Sequence, residues 1–142
     1  MDYLTDYSGI HHGDLDPHVS EHTLVPLKVA YKKLRLLVDQ GCTFIGHGLS
    51  KDFRIINIYV PPAQVYDTVD IYSSALNRRK ISLRFLSWFL LKSDIQSGEH
   101  DSIEDARAAL RLWKLAEKFK ADGRFDDVME DIFAEGKRLV RP

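Results

Sequence analysis

Apolar residues recur from residue 27 at Leu27, Ala30, Tyr31, Leu34, Leu37 and Val38. Steps of three and four predict an amphipathic helix, with Gly41 as its stop. Thr43-Phe44-Ile45-Gly46 is a short apolar run and predicts a buried strand. Ser50 is placed to cap a second helix through Phe53, Ile55, Ile56 and Ile58. Pro61-Pro62 forbid its continuation, because proline lacks the amide donor and clashes with the preceding turn. A second strand is predicted over about 65–71, followed by a polar, basic loop over 73–80. Ser82 then opens a helix in which Leu83, Phe85, Leu86, Trp88, Phe89 and Leu90 are apolar nearly all round, which predicts burial on more than one side. A long helix is expected over 102–120 and a last one over 125–139. Residues 1–22, rich in Asp, Gly, His and Pro, read as a surface lead-in.

The order is helix, strand, helix, strand, then three helices. A strand, a helix and a strand in succession predict a parallel pair with the helix on the sheet face. Parallel sheets are covered on both faces and normally have more than two members, so the chain reads as α/β, part of a domain whose other strands lie elsewhere. It divides into the lead-in 1–22, a motif-bearing part 23–120 and a C-terminal helix within 121–142, with no internal repeat.

Composition changes this picture little. A chain of 142 residues, 44% of them hydrophobic, is long enough for one domain or part of one with its own core. Twenty basic and 21 acidic side chains leave a formal charge of −1, so attraction to nucleic acid has to come from local patches. The single cysteine, Cys42, excludes an internal disulfide and reads as a small buried residue. The apolar stretches fall short of the ~20 residues that span a bilayer, and a soluble, intracellular protein is expected.

Two segments carry candidate chemistry: Gly46-His47-Gly48-Leu49-Ser50-Lys51-Asp52-Phe53 and His100-Asp101-Ser102-Ile103-Glu104-Asp105-Ala106. Taken singly, each acid has an ordinary explanation. Asp52 is a charge at a helix start, and Asp105 follows Ser102 by three residues, as in a capping box. A lone His100 is a solvated loop residue. Together, some fifty residues apart, the two segments resemble the second and third motifs of the DEDDh 3′→5′ exonucleases. Four acidic residues hold two magnesium ions in that family, and a histidine prepares the attacking water. The resemblance implies that Asp52 and Asp105 are metal ligands and that His100 is the general base, a task suited to a group with an unperturbed pKa of ~6.5. In such a site two divalent ions activate the water and stabilise the departing 3′ oxygen.

Within that group, Asp2-Tyr3-Leu4-Thr5-Asp6-Tyr7-Ser8-Gly9-Ile10, Gly13-Asp14-Leu15-Asp16-Pro17, Val65-Tyr66-Asp67-Thr68-Val69, Ile81-Ser82-Leu83-Arg84-Phe85-Leu86 and residues 101–110 look like the exonuclease domains of poly(A)-nuclease catalytic subunits. This narrower resemblance implies an RNase H-like mixed sheet flanked by helices, a Mg2+ requirement with Mn2+ as a substitute, and release of AMP from poly(A) RNA. It also implies a cytoplasmic location and recruitment by a pseudokinase-containing regulatory subunit and, through it, poly(A)-binding protein. Leu49, Arg78, Arg79 and Lys80 are the substrate-binding candidates; the basic run also reads as a solvated loop. One motif is absent, since no Asp-x-Glu precedes residue 46. The chain alone is therefore expected to be inactive or nearly so and to expose a sheet edge or rearrange to cover it, and the alternative is a non-catalytic RNA-binding or complex-assembly module.

Lesser features have plainer readings. His11, His12, His18 and His22 lack the partners of a zinc site. Arg107, Arg111, Lys114 and Lys118 read as the wet face of their helix, and Trp88 and Trp113 as core. The last helix pairs an apolar stripe of Phe125, Val128, Met129, Ile132 and Phe133 with an acidic face.

Overall fold

A computed structural model describes residues 2–73 and 79–140. In chain order the elements are α1 (Thr5–Ser8), α2 (Leu27–Asp39), β1 (Phe44–Gly46), α3 (Leu49–Ile55), a 3-10 turn (Pro62–Gln64), β2 (Val65–Asp67), α4 (Thr68–Ile71), α5 (Leu83–Leu91), α6 (Ser102–Ala121) and α7 (Phe125–Val140). β1 and β2 pair in parallel, with Phe44 opposite Val65, Ile45 opposite Tyr66 and Gly46 opposite Asp67.

Side chains alternate across this small sheet, as strand geometry requires. Phe44 meets Phe53 of α3 edge to face, at 5.9 Å between ring centroids, while Tyr66 lies 5.6 Å from Trp113 of α6. A first core of Val38, Ile58 and Val60 gathers with Leu34, Phe44, Phe53, Ile56 and Val65. The larger core joins Tyr72, Leu83, Leu86 and Ile95 to Ala108, Leu112 and Ala116 of α6 and to Val128, Met129 and Ile132 of α7. Tyr72 is fully buried and donates its hydroxyl to the Leu112 carbonyl at 2.7 Å, which satisfies a polar group that would otherwise be costly inside.

Several expectations change. The helix after Gly48 stops at Ile55, because Asn57 adopts a left-handed φ of 54° that closes the helix; Ile58 and Val60 then run into the core as irregular backbone. Its N-cap is Gly48, not Ser50, with no side-chain cap. The strand expected to 71 ends at Asp67, whose carboxylate accepts the Val69 N–H and starts α4. On α2 only Val38 is buried and Leu34 half-buried; Leu27, Tyr31 and Leu37 of the expected stripe are exposed. α5 buries Leu83, Leu86 and Ser87, but Trp88 is 42% exposed, so neither all-round burial nor a core role for Trp88 holds. Ser82 caps α5 as expected, accepting the Phe85 N–H at 3.1 Å.

The lead-in is fastened at its start. The His100 N–H donates to the Asp6 carbonyl at 2.9 Å, Tyr7 meets the His100 ring edge to face, and His11 Nε2 lies 2.6 Å from Glu99. Gly9 makes the approach possible, because its φ of +70° and the His100 carbonyl, 2.2 Å from where a Cβ would stand, both exclude a side chain.

Candidate active site

The β1–α3 turn is held by a residue from the neighbouring strand. Asp67 Oδ1 accepts the Gly48 N–H at 2.9 Å and the Val69 N–H at 3.0 Å, and Oδ2 accepts the Leu49 N–H at 2.8 Å. Gly48 sits at φ +77°, a left-handed conformation that glycine adopts freely. Gly46 is needed for a different reason: a Cβ there would stand 2.4 Å from the Leu49 side chain. The turn thus fixes Leu49 against the end of β1 and begins the helix that carries Asp52.

His47 points inward beside this clamp. Its Nδ1 lies 2.8 Å from Thr68 Oγ1, and the buried Thr68 hydroxyl donates to the Gly46 carbonyl at 3.0 Å. Burial pushes the His47 pKa below its usual value, against the opposing pull of Asp67, a hydrogen bond to the Ile81 backbone and the charge of Asp105. His47 therefore links the end of β1 to the residues leading into α5 and feels the charge of Asp105.

Asp52 is exposed in the first turn of α3. Asp105 is half-buried in the first turn of α6, where Gln96 Nε2 donates to its Oδ1 at 2.9 Å. The helix is capped by Asp101, which accepts the Ile103 and Glu104 N–H groups, so the Ser102 capping box is replaced by the residue before it. Asp105 is thereby released from capping and keeps Oδ2 for other contacts. His100, half-buried, stands in the loop before the cap, anchored through its backbone to Asp6.

Asp52 and Asp105 are hard oxygen donors of the kind that magnesium selects, and their donor chemistry fits that ion. Their number does not complete a site: among the described residues no three His, Cys, Asp or Glu side chains gather as a metal-binding group, and His11, His12, His18 and His22 form none either. Arg79 and Lys80 are exposed just before α5, and Arg78 lies outside the described residues. Asp67, His47 and Gln96 were not among the sequence candidates. The signal for Asp67 was present, since an Asp-Thr pair after a strand is a helix-start signature.

The comparisons with known proteins agree with one another. The family model described as Exonuclease (RNase_T) matches residues 1–113. The PAN2 catalytic subunit of the PAN2-PAN3 deadenylation complex from Cryptococcus neoformans is 66% identical over 99% of this chain, and that from Schizosaccharomyces pombe is 58% identical over 97%. The chain spans only 12% and 13% of those two proteins. Among solved structures, the Neurospora crassa Pan2 catalytic unit superposes with a TM-score of 0.90 at 56% identity, covering 94% of this chain and 22% of that one. The Saccharomyces cerevisiae Pan2 pseudoubiquitin hydrolase-RNA exonuclease module in complex with A7 RNA gives 0.90 at 47% identity, covering 96% and 23%. Among the described residues no helix is long and apolar enough to cross a membrane. With the family model spanning most of its length and relatives far above 30% identity, this chain belongs to the RNase_T exonuclease family.

Proposed function

We propose that the chain is part of a magnesium-dependent 3′→5′ exoribonuclease that shortens mRNA poly(A) tails in the cytoplasm and releases AMP. The observation that carries this reading is identity over nearly the whole chain to catalytic subunits of a deadenylation complex. In it, Asp52 and Asp105 hold divalent metal, with Mn2+ as a substitute. Metal, when bound, supplies the activated water and the charge that stabilises the leaving 3′ oxygen. His100 accepts the proton of the attacking water. Gln96 orients Asp105 by taking one of its oxygens, and Asp67 sets Leu49 against the substrate by fixing the turn before it. Arg78, Arg79 and Lys80 contact phosphates. Two further carboxylates come from outside this chain, which is inactive without them. The assembly partners are a pseudokinase-containing regulatory subunit and, through it, poly(A)-binding protein.

One observation favours a second reading. With no group of three metal-ligating side chains among the described residues, the chain also suits a non-catalytic RNA-binding or assembly module. The test incubates a 5′-labelled A-tailed RNA and magnesium with the chain, with a longer polypeptide carrying an upstream Asp-x-Glu strand, and with its Asp105→Asn variant. Stepwise shortening by the longer protein alone, lost in the variant, supports the nuclease; no shortening in any sample supports the module.

A further inference from the structure

Outside the turn and its acids, the chain carries a cleft of which the function above uses only Arg79 and Lys80. It lies between the start of α5 and the last two turns of α7, with a volume of about 300 Å³. Phe85, Ile132 and Phe133 supply apolar surface, while Arg79, Lys80 and Lys137 bring positive charge; no acidic side chain lines it. Among the described residues, no salt bridge ties any of these three cations to an acid. Aromatic rings beside unpaired cations suit a base and its phosphates, since stacking tolerates any base and each phosphate takes a cation. The volume lies at the low end for small-ligand sites, which suits one nucleotide of a strand.

A second observation is the glycine in the wall. Gly136 lies inside α7, where glycine costs about 1 kcal/mol relative to alanine. A Cβ there would meet nothing within 4 Å, so packing within the chain does not require its absence. Its effect is to leave the cleft open. A third is position: Ile81 lines the cleft, and its backbone is the hydrogen-bonding partner of His47, beside Asp105. Ile81 is thus shared between the cleft and the surroundings of His47. α7 begins at Phe125, beyond the 1–113 that match the family model, while the Cryptococcus neoformans relative matches 99% of the chain, so this wall lies outside the family model and within the match to that relative.

We propose that this α5–α7 cleft binds a nucleotide of the RNA substrate upstream of the 3′ end, with Lys80 and Lys137 on its phosphates and Phe85 and Phe133 against its base. This rests on the exoribonuclease reading and adds a contact that holds the strand while its end is processed.

The test uses the full polypeptide that carries this chain. Oligo(A) affinity is measured across salt concentrations for the wild type, a Lys80→Gln/Lys137→Gln double variant and Gly136→Met. Losing two phosphate contacts is expected to lower the salt slope by about 1.4 and low-salt affinity by about tenfold. Gly136→Met is expected to weaken binding while its Tm stays level or rises, which separates a filled cleft from a damaged fold. Oligo(A) with 8-azidoadenosine at single internal positions is expected to crosslink to peptides from residues 132–137. A wild-type slope in the double variant, wild-type affinity in Gly136→Met, or crosslinks that miss α7 while the wild type still shortens RNA, overturn the inference. So does a poly-Glu peptide that occupies the cleft without displacing RNA. A wild type that neither binds nor shortens RNA overturns the exoribonuclease reading itself.

Discussion

Replacing Asp67 tests whether one carboxylate organises the β1–α3 turn. The two oxygens divide the work: Oδ1 serves Gly48 and Val69, and Oδ2 serves Leu49. In Asp67→Asn the remaining carbonyl oxygen can keep the first two bonds, but the new NH2 faces the Leu49 N–H, donor against donor. One charge-assisted bond, worth about 1.5–3 kcal/mol, is then lost, and partial exposure to water lowers the expected cost to about 1–2 kcal/mol. Asp67→Ala loses all three bonds, the one from Val69 being the α4 cap and worth about 1 kcal/mol, for an expected total of about 2–4 kcal/mol. Urea unfolding followed by circular dichroism measures both, with an unchanged m value indicating that the denatured state is unaffected. The expected order of midpoints is wild type, Asn, Ala. Equal midpoints for Asn and Ala, or losses below about 0.5 kcal/mol for both, would refute the division of labour between the oxygens and leave the turn to its glycines.

Further predictions follow the same logic. Leu112→Ala, at a side chain fully out of solvent, is expected to cost about 2–5 kcal/mol in the same assay. Tyr72→Phe removes one buried hydrogen bond while the Leu112 carbonyl keeps its place in the α6 ladder, and is expected to cost about 1 kcal/mol; since burial raises the Tyr72 pKa, spectrophotometric titration of the folded chain should find one tyrosine that ionises only on unfolding. For His47 the folded pKa lies below the unfolded one, so the unfolded state binds more protons as pH falls. That stability is present above about pH 6.5 and lost as pH drops toward the folded value. His47→Gln should flatten this part of the urea-midpoint profile between pH 7.5 and 5.5. Gly9→Ala places a Cβ on the His100 carbonyl and is expected to free the first dozen residues, read as faster proteolysis there with little change in global stability.

What the sequence revealed depended on whether the cause was local. The α7 stripe was readable because helical periodicity and burial coincide there, in Val128, Met129 and Ile132. α2 misled because its periodicity is real while most of its apolar face meets no partner within the described residues. Propensity predicts a helix, not what covers it. The end of β2 was misplaced because Val65, Tyr66, Thr68, Val69 and Ile71 are all strand-favouring types, and only the hydrogen bond from Val69 to Asp67 shows that the chain has already turned. The two candidate motifs were legible as a pattern. What sequence could not supply is the clamp between them, because Asp67 reaches the Gly48 and Leu49 amides across 19 and 18 residues.

The fastening of the lead-in has a consequence for the order in which the site assembles and comes apart. Asp6 and His11 meet His100 and Glu99 across well over half of the chain, the His11–Glu99 pair spanning 88 residues. Closing so long a loop carries an entropy cost that no local helix formation offsets, so these contacts belong late in folding. The His11–Glu99 pair is solvent-exposed and adds little stability, which makes the clasp among the first structures to open in the native state. The loop carrying His100 would then inherit the opening rate of the first ten residues, while Asp105, one helical turn further on, keeps the slow exchange of the α6 core.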